Sequence, residues 1–317
     1  MIKSNLINIK TRYFDAKLNP CGASLQGLYF NSKQMLLTID DIKSFNDADL
    51  FFGKTLAPVA GRIPSSIKIN NNTISLVEDE ENVSLHSGKK KSLSFRQFDS
   101  KVEENGKEIN VVFRIKNTKE DVFPFDIDIK VTYSFSKEEN EFTIFYDGSS
   151  NLDYLISMSN HLYFNFDTSD INDYYLTINS NNISEFNPRS KLIKGLIKCN
   201  SDFDFTSPCK LKNKLDIIDN LYGGLDHFFL FDKVDENIPQ ITLNNDEIKL
   251  EIFTSMEGSN IYVDSTKIKF PFTNKKLGLI RRGIALECQN QNFPYSRIIY
   301  PANKKYHQFI RYKFYNI

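Results

Sequence analysis

The chain has 317 residues, 40% of them hydrophobic and 25% charged, the balance of a packed globular protein rather than a disordered or fibrous one. Forty basic residues offset forty acidic ones, for a formal net charge of +0, which excludes the broad electrostatic footprint that nucleic acid or an anionic membrane selects. No apolar run approaches the roughly 18 to 20 residues of a membrane span, so the expected partner is small or uncharged, with no nucleic acid and no membrane.

At the N-terminus, MIKSNLINIKTRYF has neither a continuous apolar stretch nor a small-residue cleavage site, and cysteines 21, 199, 209 and 288 show no C-x-x-C spacing. A cytoplasmic chain with free thiols is expected. Asp40 to Asp47 and Lys212 to Leu221 read as short helices, neither with a sustained 3.6-residue period. Ser66 to Val77 reads as a strand pair turning at Asn70-Asn71-Asn72, and Ile241 to Phe253 as another turning at Asn244-Asn245-Asp246. Between them Phe125, Ile127, Ile129, Val131, Tyr133 and Phe135 alternate with mostly polar residues up to the turn Lys137 to Asn140, and Phe142, Ile144 and Tyr146 resume the alternation. That is a hairpin. Lys89 to Lys91 and Arg281-Arg282 read as solvated loop surface. With no linker, composition shift or repeat, the chain is expected to be all-β, a large antiparallel β-sandwich forming a single domain over 1–317.

Five segments place polar side chains in unusual settings: GRIP at Gly61 to Pro64, SLHSG at Ser84 to Gly88, SMSNHLYFNF at Ser157 to Phe166, GGLDHFFLF at Gly223 to Phe231, and GIALECQNQ at Gly283 to Gln291. They supply Arg62, His86, His161, Asp226 and Glu287. A histidine among apolar and amide residues can have its tautomer and pKa set by its neighbours, and a carboxylate inside an apolar strand needs a partner or a task. His161 and Glu287 are therefore the candidate acid and base. Singly each has an ordinary explanation: Arg62 as a salt-bridge residue, His86 as a loop histidine held by backbone, Asp226 as a turn cap, His161 as a satisfied core histidine, Glu287 as an ion-pair partner. His227 reads as structural. No H-x-H, H-E-x-x-H or Cys/His cluster points to a metal, no G-x-S-x-G elbow or phosphate loop is present, and Cys288 should face away from Glu287 along the strand.

In their order, AGRI, LHSG about two dozen residues on, NHLYFNF, GLDHFF and LECQN, these segments resemble the aldose 1-epimerase (galactose mutarotase) family from about Gly27 to the C-terminus. The resemblance implies a galactose mutarotase-like supersandwich with an open cleft, a free aldohexose (galactose or glucose) as substrate, no metal and no cofactor. It implies His161 as general acid, Glu287 as general base, and Arg62, His86 and Asp226 on the sugar hydroxyls, with Tyr163 and Gln289 nearby. The family's L-H-G-G reads Leu85-His86-Ser87-Gly88 here and its N-R-I reads Gly61-Arg62-Ile63; a frequent Gln aligns with Asn260, and a T-G-N type stretch is replaced by Val263-Asp264-Ser265. These departures bear on substrate preference, and a hexose-6-phosphate epimerase stays as an alternative. So do a two-carboxylate glycosidase using Asp226 and Glu287, and a carbohydrate-binding protein that needs no acid and base. Monomer and homodimer are both open.

Overall fold

The computed structural model describes all residues except 1–5, 122, 187–191, 265–266, 268 and 275–276. Its frame is a nine-stranded antiparallel sheet whose centre is the hairpin read from sequence, Ile127–Ser136 with Glu141–Ser149, joined on its far side by Tyr306–Asn316. The alternation decides which face is buried: Ile129, Val131, Tyr133 and Phe135 point inward, in register with Gly148, Tyr146, Ile144 and Phe142. Phe142 stacks on Tyr312 at 4.8 Å, and each such ring taken from water contributes about 1.5–3 kcal/mol.

A six-stranded sheet packs over that inner face, in the spatial order Tyr163–Phe164, Ile284–Gln289, Gly258–Val263, Asp226–Leu230, Asn182–Phe186, Ile193–Lys198. One hydrophobic cluster runs between the sheets, with members from Ile9 to Phe314. In Ile284–Gln289 every residue is buried, because Ile284, Leu286 and Cys288 enter this cluster while Ala285, Glu287 and Gln289 line the opposite face. Cys288 thus faces away from Glu287, as read. A four-stranded sheet from Ile7 to Gln34 adds Phe14, Leu18, Leu28 and Phe30 to the same cluster.

The smaller hairpins also form where expected. Ser66–Ile69 pairs with Asn72–Ser75 across Asn70 and Asn71, both left-handed at φ 48° and 67°, which suits a two-residue hairpin turn. Ile241–Asn244 pairs with Ile248–Thr254. Helix α1 (Ile42–Asp47) begins where Asp41 accepts the Ser44 N–H at 2.8 Å. Helix α2 (Leu211–Tyr222) corrects the reading that it lacks a helical period: Leu211, Leu215 and Ile218 form a buried stripe, and Gly223 ends it at φ 76°.

A second correction concerns the basic pairs. Lys90 and Lys91 are exposed as read, but Arg281 and Arg282 are buried, at 8% and 4% exposure. Arg281 forks onto Asp216 and Asp219 of α2 at 2.7 and 2.6 Å, and Arg282 meets Asp264 at 2.6 Å. Planar guanidinium groups tolerate burial when their donors meet carboxylates in this way. Among the described residues no helix is long and apolar enough to cross a membrane.

Candidate active site

The outer face of the six-stranded sheet floors a cleft of about 720 Å³, a size that suits a small ligand. Strand register places its groups. Glu287 lies directly across from Asn260, Tyr262 across from Ala285 on one side and Asp226 on the other, and Tyr163 across from Ala285. Gln289 follows Glu287 at the next position on the same face. The sequence-predicted residues Arg62, His86, His161, Tyr163, Asp226, Asn260, Glu287 and Gln289 all line this one cleft. His227 does not: it turns to the neighbouring cavity and packs on Phe186 and Phe203.

His161 sits between two short strands, Ser159–Asn160 and Tyr163–Phe164. Its backbone is tied on both sides, its N–H donating to the Lys54 carbonyl at 2.9 Å and its carbonyl accepting the Gly53 N–H at 3.0 Å. Tyr163 stacks on the ring at 4.7 Å and Phe51 lies nearly parallel to it at 6.0 Å. So held, His161 Nε2 stands 3.3 Å from Glu287 Oε1, with both side chains almost wholly buried.

Burial sets the electrostatics of this pair. It pushes His161 down to about 4 and, aided by the charge of Asp226, holds Glu287 well above the usual carboxylate range. The resemblance implies a carboxylate and an imidazolium; in the free cleft desolvation outweighs their attraction and favours the neutral forms. Both states hold one proton between the two groups, and one transfer across the 3.3 Å contact converts them.

Asp226 is different. Burial raises its pKa, but the Arg62 guanidinium and hydrogen bonds from Asn260 and Arg62 more than offset this and leave it below the usual value. Arg62 Nη1 reaches its Oδ2 at 3.0 Å, Asn260 Nδ2 its Oδ1 at 3.1 Å, and Arg62 Nε extends to Glu80 at 3.4 Å. Asp226 therefore stays ionised, with both oxygens engaged.

His86 accepts the Gly61 N–H on Nδ1 at 3.0 Å, and burial drives its pKa well below the ordinary histidine value. A neutral ring whose Nδ1 accepts must carry its proton on Nε2, so it offers a donor. The nearest ligand atoms of His86, His161 and Glu287 lie within 4.8 Å of one another, yet this tautomer makes His86 a poor metal ligand through Nε2. Gly61 is needed at this turn: its φ is 78°, and a Cβ there would come within 2.9 Å of Asn292 Nδ2.

Four buried polar atoms of the cleft have no partner among the described residues: His161 Nδ1, Glu287 Oε2, Gln289 Oε1 and Asn292 Oδ1. Buried polar atoms are nearly always satisfied, so a cluster of exceptions in one cleft marks where a polar ligand belongs. Sequence reasoning missed Asn292, Tyr262 and Phe51. Asn292 follows the LECQN segment, which was a usable signal, whereas Phe51 reaches the two histidines only through a left-handed backbone at φ 55° that no pattern announces.

Fold and site together define a β-sandwich protein with a buried histidine and glutamate in contact in a polar cleft, the galactose mutarotase-like class. The aldose 1-epimerase family profile matches residues 5–313. An aldose 1-epimerase of Haemophilus influenzae is 26% identical over 282 residues, 83% of this chain and 81% of that protein. Among solved structures, a GalM/aldose epimerase homologue from C. elegans superposes with a TM-score of 0.86 at 23% identity, covering 99% of both chains. Galactose 1-epimerase from Lactobacillus acidophilus gives 0.83 at 17%, over 100% of this chain and 99% of the other. The chain belongs to the aldose 1-epimerase family and is an isomerase of the mutarotase type.

Proposed function

We propose that the protein interconverts the α and β anomers of a free aldohexose, galactose or glucose, with Glu287 as base and His161 as acid. The observation that carries this is the buried 3.3 Å contact between His161 Nε2 and Glu287 Oε1, because ring opening needs a base and an acid on two oxygens bonded to one carbon. Glu287 takes the proton of the C1 hydroxyl, the freed electron pair forms the carbonyl, the bond from C1 to the ring oxygen breaks, and that oxygen takes the proton from His161. After rotation about the C1 to C2 bond the steps reverse on the other face, His161 removing the proton from the attacking hydroxyl and Glu287 returning one to the carbonyl oxygen. The pair ends with the single proton it began with.

The other groups hold the ring. Arg62 and Asp226, paired at 3.0 Å, present donors and an acceptor to adjacent hydroxyls, and Asn260 fixes Asp226 from behind. His86 donates from Nε2, Gln289 and Asn292 offer free carbonyl oxygens, and Tyr163 fixes the plane of His161. Fixing the reactant in this way supplies rate without further chemistry. A glycosidase using Asp226 and Glu287 would leave His161, held 3.3 Å from Glu287, without a role.

The test is polarimetry of freshly dissolved α-galactose and α-glucose beside an assay of glycoside cleavage. Accelerated loss of rotation without cleavage is expected. Cleavage, or rotation changing only at the spontaneous rate, would overturn the assignment.

A further inference from the structure

Lys54 is fully buried, yet among the described residues it makes no ion pair with a carboxylate. Its Nζ lies 3.9 Å from the Sγ of Cys21, between the rings of Phe45 at 5.0 Å and Phe95 at 4.7 Å. An isolated ammonium in such a place is costly, and burial accordingly pulls the lysine pKa down from its ordinary value. The two residues are fixed neighbours: the Gly22 carbonyl accepts the Thr55 N–H at 3.0 Å, joining the turn that carries Cys21 to the segment that carries Lys54. Cys21, 9% exposed, is a free thiol beside that otherwise unpartnered amine. Cys288, the other buried thiol, lies in the apolar core, where burial pushes it up to about 12.

We propose that Cys21 and Lys54 form a redox modification site, in which peroxide joins them through a covalent sulfur–nitrogen bond directly behind His161. Hydrogen peroxide oxidises the Cys21 thiol to a sulfenic acid, releasing one water. Lys54, after losing its ammonium proton, then attacks the sulfenyl sulfur as the free amine: the S–N bond forms, the S–O bond breaks, and the hydroxyl leaves as a second water with a proton from the amine. In sum, thiol, amine and one peroxide give a sulfenamide and two waters, and a dithiol reductant restores both side chains. The bond draws Nζ and Sγ in from 3.9 Å, and the Lys54 carbonyl is what holds the His161 N–H. Closure of the link therefore pulls on the backbone that positions the acid.

The test is mass spectrometry of the full chain treated with hydrogen peroxide, after free thiols are blocked and the protein is digested. A peptide pair joined at Cys21 and Lys54, lighter by two hydrogens than the sum of its parts and released by dithiothreitol, is expected. Cys21→Ser should give no link, and Lys54→Arg should leave Cys21 to proceed to the sulfinic acid. Mutarotation by the treated wild type should fall at least about tenfold and recover on reduction, with Cys21→Ser unaffected. The mass measurement stands whatever the substrate is, so it separates failure of this inference from failure of the functional assignment. An unlinked Lys54 after complete oxidation of Cys21, or a Cys21 inert to peroxide in the folded chain, overturns it.

Discussion

The two carboxylates of the cleft are pushed to opposite sides of the ordinary carboxylate pKa because their neighbours differ. Glu287 is held protonatable by burial while Asp226 is held ionised by Arg62 and Asn260. Replacing Glu287 by Gln or His161 by Asn should each lower kcat at least about a hundredfold while sugar binding persists, the usual scale for losing a general acid or base; near-normal turnover removes that residue from its role. Asp226→Asn should chiefly raise KM, since it weakens the grip on hydroxyls and leaves the Arg62 guanidinium without its closest counter-charge. Loss of all turnover at unchanged affinity would instead assign Asp226 to the chemistry. The pH profile follows from the shared proton. A second proton joins the pair only as pH falls toward about 4, where His161 then titrates, and the first leaves only above the ordinary carboxylate range. The rate should therefore fall along an acid limb near 4, and an acid limb near the ordinary histidine value of 6.5 contradicts this assignment. His161 and Glu287 were legible in the sequence because each puts a costly polar group into an apolar stretch. Their protonation was not, because it depends on how completely the fold dries them.

At the scale of elements, legibility follows period length. The hairpin Ile127–Ser136 with Glu141–Ser149 repeats a two-residue pattern many times over, and its register could be read directly. Helix α2 shows its period through only Leu211, Leu215 and Ile218, while exposed Ile217 and Leu221 blur the stripe. Arg281 and Arg282 looked solvated because the carboxylates that bury them lie 62 to 65 residues away for Arg281 and 18 for Arg282. Leu215→Ala should cost about 2–5 kcal/mol in denaturant unfolding, the range for deleting a buried leucine side chain. Because α2 lies outside the cleft lining, kcat should stay near that of the wild type. A negligible stability change would mean that the helix face is not packed as described.

For the whole molecule, substrate charge is the discriminating property. Lys89 to Lys91 stand at the rim of the cleft, but Lys90 pairs with Asp49 at 2.6 Å and the acidic Glu78 and Asp79 line the same rim. Lysines met by carboxylates give a phosphate little net attraction, and they lack the bidentate fork of arginine. Free galactose or glucose should therefore be turned over with at least about tenfold higher kcat/KM than glucose 6-phosphate, or ~1.4 kcal/mol of transition-state preference. Anomer exchange followed by NMR on both sugars decides it, and a preference for the phosphate rejects the free-aldose assignment.

The bond between Arg62 and Asp226 spans 164 residues of chain. His161, in the link that leads into Tyr163–Phe164, and Glu287, in the strand paired with Tyr163–Phe164, likewise come from distant segments of the chain. No local fragment holds a working set, and such long loops make assembly slow relative to helical proteins. Turnover therefore doubles as a stopwatch for the final closure of the chain: in refolding from denaturant, catalysis should return last, after the spectroscopic signal of the strands, and a partially folded species should be silent in the assay.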